Sequence, residues 1–174
     1  MSATTTVPLT LPFQAGQDGH SEANVAVGTL SLGYDKFKSA EDVDVSLILT
    51  GKSRGGTNGE QLGNYIIDNI TESRKDCIVF ISPDKDDVVD NIGNELNSVK
   101  TFFDSVRSTS YAVSDSGYKY QYDKYNDIYR WIPLNGDTAG ACVRTDEVRD
   151  SWWSPAGFNR GQIKNIVKLA YNPS

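Results

Sequence analysis

A glycine, a lysine and a serine in succession, Gly51-Lys52-Ser53, follow an apolar run and open a glycine-rich loop reaching Gly59, the composition of a phosphate cradle. A P-loop needs a glycine five places before Gly51 so that backbone N–H groups can wrap the phosphates. Ser46 holds that place, inside the apolar run, and the next helix starts near Gly59, too far along for Lys52 to open it. The segment from Asp84 to Glu95 carries acids near calcium-loop spacing, but its sixth place, where the sharp turn requires glycine, is Val89. Ser154, in Trp152-Trp-Ser-Pro-Ala-Gly157, lacks the glycine two places before it that a nucleophile elbow uses. The single histidine, His20, lies in a distant polar stretch, which removes the commonest general base. Cys77 and Cys142 form no CxxC pair and read as buried thiols. No acidic pair stands at a predicted strand end in the apolar surroundings that raise a pKa for acid catalysis. The expectation is a protein that is not an enzyme, with no catalytic residues, no metal and no cofactor.

Aromatic residues offer a different chemistry. Tyr118, Tyr120, Tyr122, Tyr125 and Tyr129 could stack single-stranded bases, but Lys119, Lys124 and Arg130 are balanced by Asp115, Asp123 and Asp127, so no positive groove results. Amphipathic rings that pack a hairpin onto a sheet or a neighbouring subunit fit the pattern better.

The elements that must position these residues read as follows. Val7–Phe13 and Asn24–Leu32 show short strand-like alternation between prolines and glycines, suited to edge strands or an arm. Val43–Leu49 begins in alternation and ends in a continuous apolar run, as a strand entering a buried sheet does. Asn58 with Gln61 resembles a capping arrangement, and Leu62, Ile66 and Ile70 carry a helix to about Arg74. Cys77–Ile81 is a second buried strand. Val88, Val89, Ile92, Leu96, Val99, Phe102, Phe103 and Val106 keep helical spacing over one long amphipathic helix. Ser110–Ser114 is a third strand, and this order predicts parallel crossovers covered by helices. Tyr118–Tyr122 and Ile128–Ile132 form an antiparallel hairpin around a polar turn. Asn135–Val148 is a helix capped by Asn135 or Asp137, with Ala139, Cys142 and Val143 facing inward. A loop over 150–157 precedes Ile163–Ala170.

Length and charge bound the rest. The chain has 174 residues, 15 of them glycine, with 38 % hydrophobic residues, so one α/β core with long connections is expected. Seventeen basic against 23 acidic residues give −6, which opposes a nucleic-acid-binding surface. Without a run of 18 apolar residues or a signal-like start, neither membrane insertion nor secretion is expected.

Two stretches, Gln121–Gly140 with its Asn135-Gly-Asp-Thr-Ala-Gly140, and Trp152–Gln162 with Ser154-Pro-Ala-Gly157 and Arg160-Gly161, closely resemble the contractile tail sheath family of T-even-like bacteriophages. Ala141–Asp146, Gly33-Tyr-Asp-Lys-Phe37 and Asp44–Gly51 are similar to it as well, which extends the resemblance over roughly residues 28 to 170. The resemblance implies a tail-sheath-like α/β core with the Tyr-rich hairpin. It also implies a structural subunit that polymerises around the tail tube and contracts to drive the tube through the host envelope. Implied partners are other copies of itself in hexameric rings, the tail tube protein, and baseplate and tail terminator proteins. The expected location is the virion, after assembly in the host bacterial cytoplasm. The expected division is a flexible polar segment or arm over 1–34 and a core domain over 35–174, incomplete at its C-terminal end. Residues 51–59 are expected to be mobile. Tyr120, Tyr122, Trp131, Trp152, Trp153 and Arg160 are the candidate subunit interface. The alternative is an α/β nucleotide-binding protein or enzyme using the Gly51–Gly59 loop.

Overall fold

Leu47–Leu49 (β1), Ile78–Ile81 (β2) and Ala112–Ser114 (β3) are short, mostly apolar runs that cannot bury themselves alone, and they pair as a parallel sheet in the order β1-β2-β3. Ile48 faces Val79, and Val79 faces Ala112. The computed structural model describes residues 15–16 and 25–172; the Val7–Phe13 stretch and His20 lie outside them. Parallel neighbours need crossovers. The first is α2 (Asn58–Ile66), which continues through a π-helical turn at Ile67–Thr71 into α3 (Glu72–Arg74). The second contains α4 (Lys85–Val88) and α5 (Glu95–Asp104). Ile48, Leu62, Ile66, Ile67, Ile70, Cys77, Val79, Ile81 and Phe102 form the core between sheet and helices.

The expected hairpin is present as β4 (Tyr118–Asp123) and β5 (Ile128–Pro133), with Tyr120 opposite Trp131 and Tyr122 opposite Tyr129. Lys168–Leu169 (β6) adds to the other side of β4, giving a second, antiparallel sheet in the order β5-β4-β6. A smaller core of Val88, Val89 and Tyr118, flanked by Val99, Trp131, Ala170 and Tyr171, sits beneath it. α6 spans Asn135–Val148, as the sequence predicts.

Five local expectations are corrected. The expected strand over Asn24–Leu32 is not found among its described residues: α1 occupies Val27–Tyr34, because Val27, Leu30 and Tyr34, spaced for one helical face, pack against the main core. This end of the 1–34 segment therefore rests on the core.

The long helix from Val88 to Val106 is broken in two. A capping box between Asp84 and Asp87 starts α4, and then Asp90 at φ 60° and Gly93 at φ 86° turn the chain before α5. Val88 and Val89 serve the smaller core while Phe102 serves the larger one. Helical spacing alone cannot reveal that two cores share the segment.

In α6, Val143 is exposed and Cys142 half-buried, although Ala139 is buried as expected. Neither Asn135 nor Asp137 caps α6; Leu134 is the N-cap and has no side-chain bond to offer. At the start of α2, Thr57 is the N-cap, and Gln61 Nε2 donates to Thr57 Oγ1 at 2.9 Å in place of the expected Asn58–Gln61 arrangement.

Glycine matters where the sheets meet. Gly117 has φ 141°, and an added Cβ would lie 2.9 Å from Val88 Cγ2. Gly140, inside α6, has open space apart from Arg144 at 3.6 Å. Gly117→Ala is expected to lower stability by about 2 kcal/mol, while Gly140→Ala raises it by roughly 0.5–1 kcal/mol. Urea unfolding of the two variants checks both signs.

Candidate interface surfaces and the joint between the sheets

The carboxyl ends of β1, β2 and β3 are where α/β proteins commonly bind ligands. Here those ends are tied to the second sheet. Ser82, just after β2, donates its hydroxyl proton to Asp115 Oδ2 at 2.6 Å, and the Gly117 N–H donates to Asp115 Oδ1 at 2.9 Å. Ser82 Oγ in turn accepts the Asn135 backbone N–H at 3.0 Å. Asn135 Nδ2 donates to the Gly51 carbonyl at 2.6 Å, so the residue expected to cap α6 instead holds the loop after β1.

The same loop is fixed at its far side. The Ser53 hydroxyl donates to Asp84 Oδ1, which also accepts the Gly55 N–H at 3.1 Å. Lys52 lies on the wall of a cleft of about 390 Å³ with Ser53, Arg54, Gly55, Asp84, Lys85 and Asp86. Ser53, proposed above for phosphate, is thus engaged with Asp84, and the loop is anchored at Gly51, Ser53 and Gly55.

Burial pushes the Asp115 carboxyl up to about 6 against the opposing pull of its Ser82 and Gly117 hydrogen bonds, with Asp137 adding to the rise. A carboxyl raised in this way at a predicted strand end is what the sequence reading did not anticipate. The signal was only the Asp115-Ser-Gly117 turn at the end of an apolar run. Burial also raises the Tyr118 phenol, with Asp84 contributing next. Lys119, buried in β4, bonds Asp137 Oδ1 at 2.8 Å and the Lys164 carbonyl at 3.0 Å, tying the hairpin to α6 and to the approach to β6.

Tyr120, Tyr122 and Trp131 do come together, on one face of the hairpin. Tyr120 packs against Trp131 with centroids 4.9 Å apart and stacks on Tyr129 at 5.3 Å; Tyr122 meets Tyr129 at 5.2 Å. Lys168 Nζ lies 5.4 Å from both the Tyr120 and Trp131 ring centres. Tyr129, one of the five tyrosines noted in the sequence, and Lys168, which the sequence did not single out, complete this ladder; neither was among the six candidate interface residues, since cross-strand register decides both. The turn is tightened by Asp123, whose bonds to Asn126 first and Arg130 next hold its carboxyl down to about 2.

Trp152, Trp153 and Arg160 also come together, elsewhere. The two indoles pair at 5.1 Å, and the guanidinium groups of Arg149 and Arg160 each lie 5.7 Å from the Trp153 centroid. Arg160 Nε donates to the Ser154 carbonyl at 3.1 Å, which explains why the Ser154–Gly161 segment holds its shape. Arg149 was the missed member. Among the described residues no ring contact joins this cluster to the hairpin ladder, so the six candidate residues form two surfaces.

No protein-family model matches the chain. Among known proteins, it is 41 % identical over 162 residues to a tail sheath protein of Enterobacteria phage T4, covering 86 % of this chain. It is 39 % identical over 168 residues to that of Vibrio phage KVP40, covering 87 % of this chain. The chain is related to phage tail sheath proteins. A tail sheath protein of Salmonella phage ViI is 44 % identical over 110 residues, or 63 % of the chain. The chain spans about a quarter of the length of the T4 and KVP40 tail sheath relatives, 24 % and 25 % respectively. Among the described residues no helix is long and apolar enough to cross a membrane.

Asp115 makes stability pH-dependent in a defined direction. Its folded pKa lies above the ordinary value of 3.8, so the native state holds the proton more tightly. Its contribution is complete below that ordinary value and is lost as pH rises through about 6, a swing on the order of 3 kcal/mol. Asp115→Asn keeps an acceptor for Ser82 or Gly117 without the ionisation cost. In urea titrations between about pH 7.5 and about pH 3, the difference between wild type and variant is expected to favour the variant at the upper end and to vanish only below the ordinary carboxyl value of 3.8.

Proposed function

We propose that this chain acts as a structural, non-enzymatic subunit of a bacteriophage contractile tail sheath, which polymerises around the tail tube and shortens to drive the tube through the host envelope. The observation that carries the reading is the similarity of most of the chain to tail sheath proteins from three phages. Two exposed aromatic surfaces held in shape by hydrogen bonds and cation–π contacts support it, since Trp, Tyr and Arg dominate the energetics of protein contacts.

In this reading the partners are further copies of the chain in hexameric rings, the tail tube protein, and the baseplate and tail terminator proteins, with no nucleic acid and no membrane insertion. The protein belongs to the virion and assembles in the host bacterial cytoplasm. The core domain over 35–174 stays nearly rigid while the connections between subunits bend. Contraction is then an exchange between two subunit arrangements of different free energy, each stabilised by its own contacts. Tyr120, Tyr122, Trp131, Trp152, Trp153 and Arg160 supply the subunit contacts.

The test is electron microscopy of the complete gene product. Unaltered protein is expected to form striated hollow cylinders, and Trp152→Ala with Trp153→Ala to reduce their yield at least tenfold, as loss of contact-centre tryptophans does. The urea midpoint of the isolated chain should be unchanged by the same pair. Equal loss of folding and assembly would assign both indoles a purely internal role.

A further inference from the structure

The break between α4 and α5 turns apolar side chains outward that helical spacing would have buried. Ile92 is 92 % exposed and Leu96 64 %. The segment is nonetheless held in shape. Asn91 Nδ2 donates to the Asp87 carbonyl at 2.8 Å and to Ser98 Oγ at 2.9 Å, and the Gly93 N–H donates to Glu95 Oε2 at 2.7 Å. Asp90, at φ 60°, occupies a conformation unfavourable for a residue with a Cβ. Such strain persists only where surrounding bonds over-determine it, and it clusters at functional places. Residues 84–96 carry five carboxylates (Asp84, Asp86, Asp87, Asp90 and Glu95) against Lys85 alone.

The loop after α6 has the opposite character. Trp152 is 76 % exposed and Phe158 92 %. Arg149 and Arg160 flank Trp153, with Asp150 the one acid over 149–161. This loop too is held in shape, by Arg160 on the Ser154 carbonyl and by the Gly161 N–H on the Gly157 carbonyl at 2.8 Å.

We propose that these two surfaces bind each other between neighbouring copies, the Ile92–Leu96 ridge of one against Trp152 and Phe158 of the next, with Asp86 and Asp90 facing Arg149 and Arg160. The inference rests on the sheath reading and names the mate of its Trp152–Arg160 surface. Charge decides the pairing. A ridge against a ridge would bring carboxylates together, and an arginine surface against its like would do the same with guanidinium groups, whereas ridge against aromatic surface removes apolar area from water and satisfies both signs. A contact between two different patches is head-to-tail, so each added copy leaves one of each free and the series closes as a ring or runs on as a helix. Individually the contact is small; repeated around an assembly it gains by effective concentration.

Sedimentation velocity of the 174-residue chain across a concentration series at low salt tests the pairing. Ile92→Ser with Leu96→Ser, and separately Trp152→Ser with Phe158→Ser, are each expected to weaken self-association at least tenfold. Mixing the two double variants should restore a species that stops at two copies, because each retains one working surface. Asp86→Arg should weaken association, and mixing it with Arg149→Glu should recover it. All six positions are exposed, so urea midpoints confirm that folding is intact. Failure of the mixtures to associate, or a wild-type chain that stays monomeric throughout, overturns the pairing. Association that survives both double variants also overturns it. The sheath reading is judged separately: cylinders that form from the complete gene product carrying Ile92→Ser and Leu96→Ser discard the pairing alone, while absence of cylinders from the unaltered product discards the sheath reading.

Discussion

The backbone passes from one sheet to the other through Asp115-Ser-Gly117, and that passage depends on a half-buried carboxyl group with a hydrogen-bond donor at each oxygen. Each oxygen of Asp115 has a donor, Ser82 for one and Gly117 for the other, and Ser82 is itself bonded by the first residue of α6. An unmet acceptor at this depth would cost more than the bonds return. Because they are met, the hairpin, α6 and the loop after β1 keep one arrangement relative to the parallel sheet. The partly buried pair of Lys119 and Asp137 repeats the logic from the hairpin side. Its contribution is specificity of arrangement more than net stability, since taking both charges from water offsets much of their attraction.

The parallel sheet and its first crossover were legible because burial on one face dictates both. Leu62, Ile66 and Ile70 mark the inward stripe of α2, and Ile78–Ile81 is apolar throughout, as a strand covered on both faces must be. The hairpin was legible from alternation around a polar turn. What failed was local pattern in conflict with distant packing. Gly28 and Thr29 argue against a helix by propensity, yet three side chains spaced along α1 find the main core. Ile92 and Leu96 fit a helical stripe perfectly well as letters, but the smaller core claims Val88 and Val89 first and the helix ends.

The candidate surfaces were half legible. Composition singled out the tyrosines and the two adjacent tryptophans, whose ring faces need either a core or a partner. It could not supply their neighbours. Lys168 reaches Tyr120 and Trp131 only because β6 pairs with β4 at Lys119 and Tyr120. Arg149 reaches Trp153 only because α6 ends there. The raised carboxyl of Asp115 was invisible for the same reason: nothing in a linear reading encloses it until α6 and the hairpin are docked.

Among the described residues, the order β5-β4-β6 leaves β5 as an outer strand, six residues long, with one row of backbone donors and acceptors turned away from its partner. Such a margin is a template for any extended peptide of suitable length. Two features temper it. Arg130, in mid-strand, is already paired with Asp123 at 2.9 Å and sets a long charged side chain on the strand, and Pro133 at the end withholds a donor. The margin is therefore occupied in its middle and blunted at one end, which discourages indiscriminate amyloid-like stacking.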